Sequence, residues 1–81
     1  MNVLYFAWVR ERIGLPKETV ETKAATVREL VEELRGREDR YEAAFADLDA
    51  LRVAVDQDLV DFDAPLKGAR EVAFFPPMTG G

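Results

Sequence analysis

Residues 3–9 read Val-Leu-Tyr-Phe-Ala-Trp-Val, apolar at every position, so a strand built from them needs cover on both of its sides. β-Branched and aromatic side chains suit that role, and the segment is predicted to lie inside a sheet rather than at its edge. Alternation would send Val3, Tyr5, Ala7 and Val9 to one side and Leu4, Phe6 and Trp8 to the other. The chain around it has 81 residues, one domain's worth, and a domain of this size removes only about 60% of its unfolded surface from water. Its apolar residues must therefore be gathered into one well-patterned core.

Downstream punctuation sets the other elements. Gly14 and Pro16 make residues 10–17 a connection, and Glu18 to Thr22 alternates like a half-exposed strand. Thr26 followed by Glu29 is a capping-box pattern that starts a helix. Val27, Leu30, Val31 and Leu34 give it one apolar stripe, and Gly36 is placed for a left-handed stop after Arg35. Tyr41, Phe45 and Leu48 fit a short second helix between Glu38 and Leu48. Leu51 to Val55 and Leu59 to Phe62 read as a hairpin around Asp56-Gln57-Asp58, and Glu71 to Phe75 as a last strand closed by Pro76-Pro77.

This order predicts an α+β fold, a mixed sheet with one principal helix across one face. One helix cannot cover both faces, and Phe74 and Phe75 must point opposite ways. Monomers seldom leave a contiguous apolar patch in water, so the uncovered set, Phe6, Leu59 and Phe75, is predicted to bind another protein.

The chain contains no Cys, His or Ser, which removes disulfides, zinc fingers and Ser or Cys nucleophiles. A net charge of −5 argues against nucleic acid and points to basic protein surfaces as partners. Arg10, Glu11 and Arg12 directly after the first apolar run fit neither a signal peptide nor a membrane span, and a cytoplasmic location is expected. Asp56, Asp58, Asp61 and Asp63 invite a calcium-loop reading, but Asp61 falls where such a loop needs glycine, and turn chemistry explains them better.

Pro76-Pro77-Met78-Thr79-Gly80-Gly81 adds nothing to a packed core. The prolines stiffen its exit, and the five residues from Pro77 onward reach roughly 17 Å at about 3.4 Å per residue. Gly80 and Gly81 have no side chains, so they can thread a channel closed to other residues and deliver the Gly81 carboxylate to its end. That carboxylate is a poor acyl donor until activated, most economically as an acyl-adenylate. A frayed terminus without a task is the other reading of the same residues.

Glu71-Val72-Ala73-Phe74-Phe75-Pro76-Pro77-Met78-Thr79-Gly80-Gly81 closely resembles the C-terminal signature of the molybdopterin synthase small subunits, a ubiquitin-like sulfur-carrier family with the β-grasp fold. Val3 to Ala7 with Arg10-Glu11, Thr26-Val27 with Leu30, and Phe62-Asp63 with Pro65-Leu66 extend the likeness over nearly the whole chain. It implies a β-grasp domain over residues 1–76, with a mixed sheet of about five strands, and an extended flexible tail over residues 77–81. It further implies that Gly81 is adenylated by an activating enzyme that uses ATP, then converted to a thiocarboxylate with sulfur originating from cysteine. Donation to cyclic pyranopterin monophosphate inside the large subunit would build the dithiolene, in a heterotetramer of paired small and large subunits whose catalytic lysines belong to the large one. Phe6, Leu59, Phe75, Pro76, Pro77, Met78 and Thr79 become partner-binding residues, Gly80 a threading residue and Gly81 the reacting one. No cofactor or metal is expected on this chain alone. Other ubiquitin-like carriers, such as those serving thiazole synthesis, and ubiquitin-like protein modifiers share the Gly-Gly ending. Trp8, Asp56 and a short Lys67-Gly68-Ala69 turn depart from the family pattern.

Overall fold

The computed structural model describes residues 1–77. Its elements are β1 (Asn2–Tyr5), α1 (Ala7–Ile13), β2 (Lys17–Thr19), α2 (Val27–Arg35), α3 (Asp39–Ala44), a 3₁₀ turn (Leu48–Ala50), β3 (Arg52–Val55), β4 (Asp58–Val60) and β5 (Glu71–Phe75). The five strands form one mixed sheet in the order β2-β1-β5-β3-β4. β1 and β5 run parallel in its middle, with Val3 beside Val72 and Tyr5 beside Phe74; the other pairings are antiparallel. This is the β-grasp arrangement, α+β as predicted.

The first apolar run departs from its expected form. The strand stops at Tyr5, Phe6 stays extended, and Ala7 turns the chain at φ 52° into α1, a left-handed conformation costing a non-glycine residue about 1 kcal/mol. A period-two reading of residues 3–9 overlooked Ile13. Val9 and Ile13, four apart, form the buried stripe of a helix whose other positions include Arg10, Glu11 and Arg12. Gly14, at φ 89°, closes it by donating its N–H to the Arg10 carbonyl at 2.7 Å. The first half of the expected connection, Arg10 to Ile13, is thus helical, and β2 is shorter and earlier than Glu18 to Thr22.

α2 follows its sequence pattern closely. Thr26 Oγ1 accepts from the Glu29 N–H at 3.2 Å while Glu29 Oε2 accepts from the Thr26 N–H at 3.1 Å, and Val27, Leu30, Val31 and Leu34 are fully buried. The helix ends at Arg35, but Gly36 sits at φ −79°, without the left-handed turn expected of it. The second helix is confined to Asp39–Ala44, with Leu48 in the separate 3₁₀ turn. The β3–β4 turn needs only Asp56 and Gln57, both with positive φ (48° and 73°), the two-residue form that matches strand twist. Asp58 already belongs to β4, which ends at Val60, short of the expected Phe62.

The core lies between the helices and one sheet face, where Val3, Tyr5, Val53, Val72 and Phe74 meet Val9, Leu30, Leu34, Tyr41 and Phe45. Its polar edge is a cluster at Glu18. Glu18 Oε2 accepts from the Tyr5 hydroxyl at 2.7 Å and the Tyr41 hydroxyl at 2.6 Å, and Arg37 approaches the other carboxylate oxygen at 3.6 Å. The cluster joins β1, β2 and α3, and Arg40 adds α1 by donating to the Ile13 carbonyl at 2.8 Å.

Burial, then the hydrogen bond and charge of Glu18, push both phenols above the ordinary tyrosine range. Raised native values stabilise the fold fully below the unfolded tyrosine pKa, near 10, and that contribution is lost as pH rises toward the native values. The chain has two tyrosines, so phenolate absorbance reads this cluster alone. We expect no ionisation step near pH 10, and phenolate that emerges only with loss of tertiary circular dichroism. A reversible step near that pH in the folded protein would contradict the cluster.

Candidate functional site

Alternation along the strands sends every second side chain to the sheet face that no helix covers. The registers align Lys17, Leu4, Ala73, Ala54 and Leu59 in one row across all five strands. The alanines make the middle of this row shallow between the taller Leu4 and Leu59. One step along, Phe75 of β5 lies beside Arg52 of β3. Phe6, which follows Tyr5, donates its N–H to the Phe74 carbonyl at 3.1 Å and so adjoins the end of β5. Among the described residues Leu59 and Phe6 are the exposed large hydrophobic side chains, at 69% and 46%. Phe75, Pro76 and Pro77 are half-buried.

Phe6, Leu59 and Phe75, singled out in the sequence, therefore share one face, with Pro76 and Pro77 continuing from its end. The predicted site residues Met78, Thr79, Gly80 and Gly81 lie outside the described residues. Trp8 leaves the face: it rides on α1, half-buried, with the Arg12 guanidinium 4.6 Å from its ring centre. Ala54, Ala73 and Arg52 were missed as members of the face. Ala73 was legible from its spacing of two to Phe75, whereas placing Ala54 opposite Leu59 needs the hairpin register.

The acidic residues nearby hold turns. Asp56 Oδ1 accepts from the Arg70 and Glu71 N–H groups, both at 3.0 Å, tying the hairpin turn to the start of β5. Asp61 Oδ1 accepts from the Asp63 N–H at 2.8 Å. Asp63 pairs with Arg28 at 2.9 Å, a hydrogen bond that holds its carboxyl below the usual range. Among the described residues no group of three or more His, Cys, Asp or Glu side chains could hold a metal ion, and no helix is long and apolar enough to cross a membrane.

Residues 3–81 match the ThiS family. The chain is 44% identical over 81 residues to the molybdopterin synthase sulfur carrier subunit of Escherichia coli (strain K12), covering all of this chain and 99% of that protein. The protein of the same name from Haemophilus influenzae is 38% identical, again over 100% of this chain and 99% of its own. The crystal structure of SAMP1 from Haloferax volcanii superposes with a TM-score of 0.78 at 25% identity, over 100% of this chain and 98% of that one. Fold and full-length relatives converge, and the chain belongs to the ThiS family.

Proposed function

We propose that this chain is the sulfur-carrying subunit of a molybdopterin synthase, with the Gly81 carboxylate as its reacting group. The observation that carries the reading is the course of β5. The sheet's middle strand ends at Phe75 on the uncovered apolar face, and the Pro-Pro-Met-Thr-Gly-Gly segment follows directly. A partner that covers Phe6, Leu59 and Phe75 therefore receives the tail at the margin of the same interface. The name of the two full-length relatives favours molybdopterin over thiazole synthesis.

The chain's residues account for the route. With no Cys in the sequence, no side chain can carry a persulfide, so sulfur must ride on the backbone terminus. An activating enzyme joins the Gly81 carboxylate to the adenylyl group of ATP with loss of pyrophosphate. Sulfide then attacks the acyl carbon, forming the C–S bond as the C–O bond to AMP breaks, and leaves the thiocarboxylate. The large subunit of the synthase takes the loaded tail, the terminal sulfur bonds to the pterin precursor, and water cleaves the acyl C–S bond to return the carboxylate. This chain contributes docking and reach.

Incubation with the activating enzyme, ATP and a sulfur donor should raise the intact mass by the difference between sulfur and oxygen; an unchanged mass in a competent system overturns the reading. Docking has its own test. Leu59→Asp replaces an exposed apolar contact with a charge, and should weaken binding of the large subunit about tenfold to a hundredfold while the free protein keeps its native circular dichroism. Unaltered affinity by titration calorimetry would remove Leu59 from the interface.

A further inference from the structure

The outer edge of β4, whose Leu59 side chain also belongs to the apolar face, invites a partner through its backbone. β4 is an outer strand of the sheet, and the register fixes which of its backbone groups are free. Asp56 donates its N–H to the Glu71 carbonyl at 2.9 Å, so Ala54, two residues away, also bonds toward β5, and Val53 and Val55 bond toward β4. Val55 pairs with Asp58 and Val53 with Val60. Leu59, opposite Ala54, must then direct both its N–H and its C=O away from the sheet. The two-residue turn gives the same parity independently, because the residues flanking such a turn exchange both of their hydrogen bonds.

Outer strands with free backbone groups are usually guarded. At the opposite edge β2 opens with Lys17, directly after Pro16. At β4 the unpaired position carries Leu59, the most exposed large apolar residue described, and the flanking charges are all of one sign: Asp58 and Asp61. Beside the edge runs a groove of about 630 Å³ with Leu48, Leu51, Val60 and Phe62 in its wall. Its two arginines are engaged, Arg28 with Asp63 and Arg52 with the carbonyls of Asp49 and Leu51, whereas Asp58 has no cation partner among the described residues.

We propose that the free edge of β4 accepts an extended, lysine- or arginine-bearing segment of a partner protein as a sixth strand, with Leu59 as the central backbone contact. Two backbone hydrogen bonds to Leu59 would set the register, and the groove would take alternate apolar side chains of the added strand. Asp58 and Asp61 would select its charge. The same carboxylates disfavour a second copy of this chain, since antiparallel pairing about Leu59 would bring two acidic edges together. The proposal does not rest on the sulfur-carrier reading and can fail without it.

The test is amide hydrogen exchange in the full chain, followed by NMR, with a short peptide alternating valine and lysine as probe and one alternating valine and glutamate as counterpart. In the free protein the Leu59 amide should exchange much faster than that of Val60, whose N–H lies in the ladder. The basic peptide at about ten times its Kd should slow the Leu59 amide roughly tenfold, and the acidic peptide should not. Asp58→Lys should weaken the basic peptide at least twofold to fivefold. Should that variant fail to fold, Asp61→Asn removes a charge yet keeps an oxygen to accept from Asp63, and should also weaken binding. A protected Leu59 amide in the dilute free chain overturns the proposal, as do equal effects of the two peptides or absence of saturable binding. Protection that grows with the chain's own concentration would assign the edge to self-association instead.

Discussion

Deletion of Gly80 and Gly81 is expected to reduce sulfur transfer to background while leaving the fold intact. The deleted residues carry the carboxylate that would be adenylated, and no Cys, Ser or His is present to substitute for it as an acyl or sulfur carrier. Among the described residues every buried core residue lies between Val3 and Phe74, so stability is expected to stay within about 0.5 kcal/mol of the full chain. The paired measurement is decisive: thiocarboxylate formation by intact mass and pterin sulfuration by product assay on one side, urea denaturation on the other. Retained sulfuration would refute the carrier role. Lost sulfuration with lost stability would instead assign the glycines a structural task.

Phe74→Ala should have the largest effect on folding. Phe74 is fully buried in the middle strand. Its ring stacks on Tyr5 with centroids 6.3 Å apart and meets Phe45 edge-on at 5.0 Å. It thereby links β1 and β5 to the segment after α3. Truncation removes the ring from water-excluded contacts on both sides and leaves a cavity the rigid sheet cannot close, at a cost of about 3–5 kcal/mol. A chain of this length has a total stability on the order of 4–12 kcal/mol, so the variant should be marginal or unfolded at ordinary temperature. A shift below about 1 kcal/mol in urea unfolding would mean that the core is held elsewhere. The neighbouring Phe75 faces the uncovered side and is half-buried, so the same truncation there should cost considerably less stability.

Local signals were legible where one short-range interaction decides the conformation. The Thr26–Glu29 capping box starts α2 because its two hydrogen bonds lie within four residues. The hairpin turn, expected over Asp56-Gln57-Asp58 and found to need only the first two, and the end of β5 before Pro76 are of the same kind. The apolar face was legible from alternation, since Phe74 and Phe75 cannot both be inside. Residues 6–13 were not legible. Their apolar run suits strand and helix alike, and the choice falls to Val9 and Ile13 packing into the core beside α3, a contact between residues far apart in the chain.

By itself, the sequence determined the composition of the core, the start of the main helix, the hairpin turn and the chemistry confined to a side-chain-free tail. These follow from hydrophobic period, capping, turn conformations and the residue types present. Only the tertiary structure decided that β1 and β5 pair in parallel, that Leu4, Ala73, Ala54 and Leu59 line up across the sheet, and that Leu59 turns its backbone outward. Strand order and register arise from contacts between segments distant in sequence, and a shift of one residue would exchange the two faces.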